Sequence, residues 1–335
     1  MTGLLRTVGL TALGAVLGAG APAASIPGTL ELRGKIVDGA RRARPLRITV
    51  YGLESTYTES TLTDPGGEFR FHKLNPGPYS ISMMRGGLGE VRRTVEVTAS
   101  LADKKGVVRV TLPFSPAEAA ASGNGALVSR NQLAIPSKAR RKYEEARQRM
   151  AKHDSDGARL KFEEAVQISP EFSAAWNALG VLDYQHADYK SAEEHFRQAV
   201  EAEPASYEPQ VNLGGVLLNL NRPEDALAFN QRAAEMRPKD ALANAQLGMN
   251  YFALGRADNA ERYLKAAEQI DPAHFSQPQW FLAAIYMRRG DRAAAARELR
   301  DLMQRHPDGF VANRARRALA RIEEATVASP EAQAR

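Results

Sequence analysis

The sequence predicts a multidomain β + α protein, with a small N-terminal β-sandwich followed by an all-α solenoid of five helix-pair repeats and a C-terminal capping helix. Three observations carry this. Pro170, Pro204, Pro238 and Pro272 stand 34 residues apart, and Pro307 follows 35 residues later. A fixed period of this size marks a chain that builds one small unit repeatedly. Residues 28–115 instead alternate apolar and polar side chains in short runs, as strands do. Between the two patterns, Ser115–Gly125 is rich in Ala, Ser and Gly, as a linker is.

The helical units carry the stronger signal. The second unit carries Trp176, Leu179, Gly180, Ala192, Phe196, Ala199 and Pro204. The third repeats it with Leu213, Gly214, Ala226, Ala233 and Pro238, and the fourth with Leu247, Gly248, Tyr251, Ala260, Ala267 and Pro272. The first unit is looser (Ala146, Ala158, Phe162, Ala165, Pro170), and the fifth is degraded (Leu282, Ala283, Tyr286, Ala295, Leu299, Leu302, Pro307). Apolar residues fall at helical spacing in both halves of each unit, with a short polar turn between. Small residues at 180, 214, 248 and 283, facing alanines at 158, 192, 226, 260 and 295, let helix backbones approach closely. The proline lacks an N–H and ends the second helix.

This pattern resembles the tetratricopeptide repeat, over five units from Lys138 to Pro307. The resemblance implies antiparallel helix pairs stacked into a right-handed superhelix with a concave inner face. One unit cannot bury its own apolar face, so stability sums over neighbours and needs a polar-backed end. Phe310–Thr326 fits as that cap: Val311, Ala315, Leu319 and Ile322 form one stripe among arginines, and residues 327–335 read as a frayed tail.

Residues 1–24 read as a secretory signal: Arg6, an apolar run from Val8 to Leu17, then Ala21-Pro22-Ala23-Ala24, with cleavage after Ala23 or Ala24. The alternative is an anchoring helix that stays. The chain has no cysteine, which excludes disulfides, thiolate chemistry, Cys-based metal sites and lipid attachment at a cleavage-site Cys. The expected compartment is the bacterial periplasm or the exterior.

In residues 28–115 the strand residues are Leu30, Leu32 and Ile36; Ile48 and Val50; Phe69 and Phe71; Ile81 and Met83; Val95 and Val97; and Val108, Val110 and Leu112. Asp64-Pro65-Gly66-Gly67 and Asn75-Pro76-Gly77 are the turn signals. Gly34 in the first strand, Pro45 before the second, Thr63-Asp64-Pro65-Gly66-Gly67-Glu68-Phe69-Arg70-Phe71 and Leu74-Asn75-Pro76-Gly77-Pro78-Tyr79 together resemble the carboxypeptidase regulatory-like domain. That resemblance covers about Thr29–Phe114 and implies a non-catalytic, transthyretin-like sandwich of seven strands. The sequence departs from it at Arg85-Gly86-Gly87-Leu88-Gly89, where a simple hairpin is expected. Residues 116–137 read as the linker, with Leu127-Val128-Ser129 and Leu133–Pro136 placed to pack on the first repeat.

Charge is +6 net, 45 Lys+Arg against 39 Asp+Glu. The excess sits in the sandwich, where Arg41, Arg42, Arg44 and Arg47 cluster. This suits an anionic envelope surface, lipid or polysaccharide, or simply a solvated face. Nucleic acid is not expected, because no aromatics interleave the basic run. No two of His72, His153, His186, His195, His274 and His306 have metal-ligand spacing, and all read as surface or turn residues. Asp154-Ser155-Asp156-Gly157 lacks the further ligands of a calcium loop. There is no Gly-x-Ser-x-Gly, phosphate loop or dinucleotide fingerprint, so neither an enzyme nor a cofactor is expected.

The repeat resemblance implies that the first helix of each unit lines the inner face. Its outward members are Tyr143, Arg147 and Met150; Asn177, Val181, Tyr184 and Gln185; Val211, Leu218 and Asn219; Ala245, Met249 and Phe252; and Trp280 and Met287. Val211 and Leu218 are equally placed to pack between repeats or against the cap. The stripe is apolar and aromatic, suited to an amphipathic helix or extended peptide of a partner protein. A carboxylate clamp of the kind some co-chaperones use is not carried here, because only Arg147 and Asn212 suit it and Glu208 repels an anion. The expected function is an exported, non-enzymatic protein-interaction scaffold. The alternative is envelope-polysaccharide binding by the sandwich, through Tyr51, Tyr57 or Tyr79.

Overall fold

Alternation in the N-terminal part becomes two facing sheets. The strands are β1 (Leu30–Val37), β2 (Arg47–Gly52), β3 (Thr58–Leu62), β4 (Glu68–Leu74), β5 (Gly77–Arg85), β6 (Gly89–Val97) and β7 (Val107–Pro113). One sheet runs β4-β1-β7, with β1 antiparallel to β4 and parallel to β7; the other is antiparallel, in the order β3-β2-β5-β6. Period-2 side chains from both sheets close one core, which includes Leu32, Ile48, Val50, Phe71, Ile81, Met83 and Val97. Val110 is only half-buried at its margin. The computed structural model describes residues 29–37, 45–53, 57–86, 88–122, 134–152 and 154–327. The signal, Arg41, Arg42, Arg44, Leu127–Ser129, His153 and residues 328–335 of the tail lie outside them.

The turn chemistry explains the motif residues. Asp64 Oδ1 accepts from the backbone N–H of Gly66 at 2.9 Å and of Glu68 at 2.7 Å, which closes the turn into β4. A Cβ on Gly34 would stand 1.9 Å from the Phe69 ring, so glycine there is what lets that ring lie across β1. Tyr79 is buried and donates to the Asn75 carbonyl at 2.8 Å. On either side of the Gly86–Gly89 departure β5 and β6 pair antiparallel, from Gly77↔Val97 to Arg85↔Gly89.

The stretch read as linker opens with a helix, α1 (Pro116–Ser122). It packs on β6, burying Ala119 and pairing Glu118 with both Arg93 guanidinium nitrogens at 2.7 and 2.8 Å. The first residues past the sandwich therefore belong to it.

The repeats follow as α2 (Ser137–Met150) with α3 (Ser155–Ile168), α4 (Ser173–Gln185) with α5 (Tyr189–Ala202), α6 (Tyr207–Asn219) with α7 (Pro223–Met236), α8 (Ala241–Ala253) with α9 (Ala257–Ile270), and α10 (Pro278–Arg288) with α11 (Arg292–Arg305). The cap is α12 (Gly309–Val327). Ala158, Ala192, Ala226, Ala260 and Ala295 are fully buried where paired helices cross. A Cβ on Gly180 would stand 2.6 Å from Phe196, so the glycine admits that ring; burying a Phe here contributes about 1.5–3 kcal/mol. Asp154, Asp188, Asp240 and Asp291 cap helix N-termini with their carboxylates. For Asp154 this is the local role of the acidic turn, whose Oδ1 accepts from Gly157 N–H at 2.9 Å. Ala312, Ala315, Leu319 and Ile322 of α12 are buried against the fifth pair.

A second tie recurs between units. Trp176 Nε1 donates to the Pro170 carbonyl, Gln210 Nε2 to Pro204, Asn244 Nδ2 to Pro238 and Gln279 Nε2 to Pro272, at 2.8 to 2.9 Å. The fourth position of α4, α6 and α8, and the second of α10, thus holds a side-chain N–H rather than a fixed residue type. It satisfies the carbonyl of the proline just past the end of the preceding helix.

The two modules touch along β6. Odd residues Val91, Val95 and Val97 enter the sandwich core, while even residues face the turns that join one helix pair to the next. Thr94 N–H meets Asp271, Glu96 meets His306 at 2.7 Å, and Ser100, beyond the strand, meets Asp308.

Candidate partner-binding face

The candidate face is built by the first helices α2, α4, α6, α8 and α10, with neighbours α4–α6, α6–α8 and α8–α10 in contact. Side chains one turn apart on each helix line up with their counterparts on the next. The N-terminal half carries polar ties across this stripe. Asn212 Nδ2 donates to Asn177 Oδ1 at 2.9 Å, and Asn219 Nδ2 to the Tyr184 hydroxyl at 3.0 Å. Burial pushes that hydroxyl up to about 12, so Tyr184 stays neutral across the physiological range. Tyr143 leans on Phe162 and Phe172, with ring centroids 5.4 and 5.0 Å away. Arg147 is exposed and pairs with Glu144 at 3.1 Å.

The structure divides the expected stripe in two. Tyr143, Asn177, Val181, Tyr184, Asn219 and Met287 are half-buried, and Arg147 and Gln185 are exposed. Val211, Leu218 and Met249 are buried in the solenoid core, packed between helices, and present almost no side chain to a partner. Phe252 is 7% exposed and Trp280 9%, because arginines lie on their faces: Arg288 Cζ is 4.7 Å from the Phe252 ring centre and Arg314 Cζ 4.2 Å from that of Trp280. The curvature that brings successive first helices together buries β-branched and long apolar residues that periodicity alone leaves facing outward. Sequence reasoning also missed the covering arginines, because Arg288 at the end of α10 and Arg314 within α12 share no repeat position.

Two histidines read as surface residues are core. His274 is buried with its Nδ1 2.7 Å from Ser276 Oγ, and burial lowers its pKa to about 4. His306 is buried against the sandwich, donating from Nδ1 to Glu96. His195 joins Arg159 on the buried carboxylate of Asp183, at 2.5 and 2.6 Å. Among the described residues no group of three or more His, Cys, Asp or Glu side chains could hold a metal ion. No helix of the described residues is long and apolar enough to cross a membrane. On the sandwich, Tyr79 is core and Tyr57 stacks edge-on against it at 5.8 Å, which leaves Tyr51 as the exposed member of the three expected tyrosines.

Comparison with known proteins agrees with this architecture. Residues 143–206 and 177–241 match one tetratricopeptide-repeat family model, and residues 241–274 match a second. The helical part of the chain is a tetratricopeptide-repeat solenoid. Among curated relatives, a Protein STIP1 homolog of Dictyostelium discoideum is 32% identical over 111 residues, 33% of this chain and 19% of that one. The Homo sapiens Cell division cycle protein 16 homolog is 29% identical over 115 residues, 32% of this chain and 18% of that one. The chain thus spans less than a fifth of the length of these relatives. Among solved structures, YrrB, described as a TPR protein with an unusual peptide-binding site, is 24% identical with a TM-score of 0.48, covering 57% of this chain and 99% of its own. MamA of Desulfovibrio magneticus RS-1 is 19% identical with a TM-score of 0.47, covering 52% and 98%.

Proposed function

We propose that this chain is a non-enzymatic protein-interaction scaffold that holds a helix or extended segment of a partner protein on the inner face of its solenoid. One observation supports it most. Val181, Tyr184 and Met287 remain partly accessible among amide side chains on first helices, a mixture that buries apolar surface while offering hydrogen bonds. The sandwich, which resembles a carboxypeptidase regulatory-like domain, meets the inter-repeat turns and positions the solenoid. Residues 1–24 support export to a bacterial periplasm or the exterior. The polysaccharide alternative keeps only Tyr51 as an exposed aromatic and is not favoured.

The test is a photo-crosslinking amino acid placed at Tyr184 or, as control, at exposed Leu160 on α3 of the full chain. A protein adduct that forms from Tyr184 and is lost in the Val181→Glu background supports the reading. Equal adducts from Leu160 would sink it.

A further inference from the structure

The C-terminal end of the inner face differs in charge from the rest. Several solenoid arginines are matched to carboxylates: Arg222 to Glu193 at 2.7 Å, Arg237 to Glu208 at 2.9 Å, Arg305 to Asp301 at 2.6 Å, and Arg289 to Glu261. Arg288, Arg314 and Arg321 are not, like several arginines elsewhere on the solenoid; what sets Arg288 and Arg314 apart is that each lies over an aromatic ring of a first helix. Among the described residues none of the three has a carboxylate or other hydrogen-bond partner, although Arg314 is half-buried. Desolvation alone acts on the Arg314 guanidinium and lowers its pKa, with no acidic neighbour to offset it. Leaving a partly desolvated cation unmatched is unfavourable unless something supplies the countercharge.

The geometry fits an incoming anion. Arg288 and Arg314 lie over the Phe252 and Trp280 rings, which hold each guanidinium in place while leaving its N–H edge for a ligand. Arg321 follows Arg314 by two helical turns, about 10 Å along the same side of α12. The buried Trp280 Nε1 and Gln277 Oε1 beneath also have no hydrogen-bond partner.

Resting on the scaffold reading above, we propose that this end of the inner face recognises an acidic segment of the partner protein, its Asp or Glu carboxylates docking on Arg288, Arg314 and Arg321. A protein is favoured over a nucleic acid because both aromatic faces are already covered by arginine, so no base can stack on them.

The test uses the full chain and three fluorescein-labelled dodecapeptides, repeats of Ser-Leu-Glu, Ser-Leu-Gln and Ser-Leu-Lys, with a dT dodecamer as a fourth probe, read by fluorescence anisotropy. The Glu peptide is expected to bind about tenfold or more tighter than the Gln peptide at low salt, the gap closing as salt rises. Arg314→Gln and Arg321→Gln are each expected to weaken it at least threefold, and Lys190→Gln, an exposed charge on α5, to leave it unchanged. Arg321 is exposed, so its variant keeps the test decisive if Arg314→Gln misfolds. Equal binding of Glu and Gln peptides overturns the acidic preference but leaves the scaffold reading standing, whereas no peptide binding at all overturns both. An equal loss in Lys190→Gln, or dT binding as tight as the Glu peptide, overturns the assignment to an acidic protein segment at these arginines.

Discussion

The backbone N–H of Thr94 donates to Asp271 Oδ2 at 2.9 Å, across 177 residues of chain. β6 is the edge of its sheet, and an edge strand carries backbone donors that another strand could capture. Here a carboxylate from the turn between the fourth and fifth repeats takes that donor. The neighbouring even residues do the same along the solenoid: Arg92 lies in the field of Asp240, Glu96 binds His306, and each two-residue step along β6 reaches the next turn. A straight strand spanning three turns ties their spacing to its own.

Asp271→Ala should therefore loosen the joint. Thr94 N–H is buried and would lose its acceptor, at a cost of about 1–3 kcal/mol. Hydrogen exchange at the Thr94 amide should quicken by one to two orders of magnitude, while exchange in α4 and α5, remote from the contact, stays unchanged. Equal acceleration in both would mean that the carboxylate serves overall stability rather than the joint.

His274 gives the fold an acid sensitivity of known sign. Burial lowers its folded pKa to about 4, with the Asp271 carboxylate opposing and the His306 ring reinforcing the shift. The unfolded chain takes up its proton near the ordinary value of about 6.5. The neutral ring therefore contributes stability that is fully present above pH 6.5 and is lost as pH falls from 6.5 towards 4. The loss at pH 4.5 is roughly 2–3 kcal/mol. In His274→Gln, the difference in urea unfolding free energy between pH 7.5 and pH 4.5 should shrink by that amount.

Much of the fold was legible because the small, large and proline positions recur in phase, and strands β1, β2 and β4 alternate along most of their length. The inner face was less so. Val211 and Met249 sit at positions that periodicity assigns outward, yet the tight approach of α6 and α8 buries them. His274 and His306 lie in polar turns by sequence, and nothing local says that a strand residue 210 positions earlier covers the turn holding His306. Long-range docking between modules leaves no periodic trace.

The recurring donor to proline was hidden for a different reason: Trp, Gln, Asn and Gln share no shape, only an N–H. Gln210→Met, similar in volume, should cost about 1–2 kcal/mol by leaving the Pro204 carbonyl without its side-chain donor. Because the contact links the second and third repeats, exchange should accelerate in the first turn of α6 and the last of α5 and hardly in α10. Gln210→Asn, whose amide is the one Asn244 uses in the next unit, should recover part of the loss.

Asn230 tests whether the consensus pattern or the local network governs. Its equivalents Phe196, Leu264 and Leu299 are apolar, which invites Asn230→Leu as a stabilising change. The structure argues the opposite. Asn230 is fully buried, its Nδ2 donates to Asn250 Oδ1 at 3.0 Å, and Asn250 in turn donates to the Pro223 carbonyl at 2.7 Å. A leucine would strand the Asn250 oxygen and crowd Gly214, whose missing Cβ leaves room for the Asn230 amide: a Cβ there would stand 2.0 Å from Asn230 Oδ1. Asn230→Leu should lose about 1–3 kcal/mol in chemical unfolding, even though it restores the repeat pattern. Asn230→Leu with Asn250→Leu should lose more, because the Asn250 tie to the Pro223 carbonyl is lost as well. A gain in stability for the single variant would show that the apolar pattern outweighs the buried amide pair.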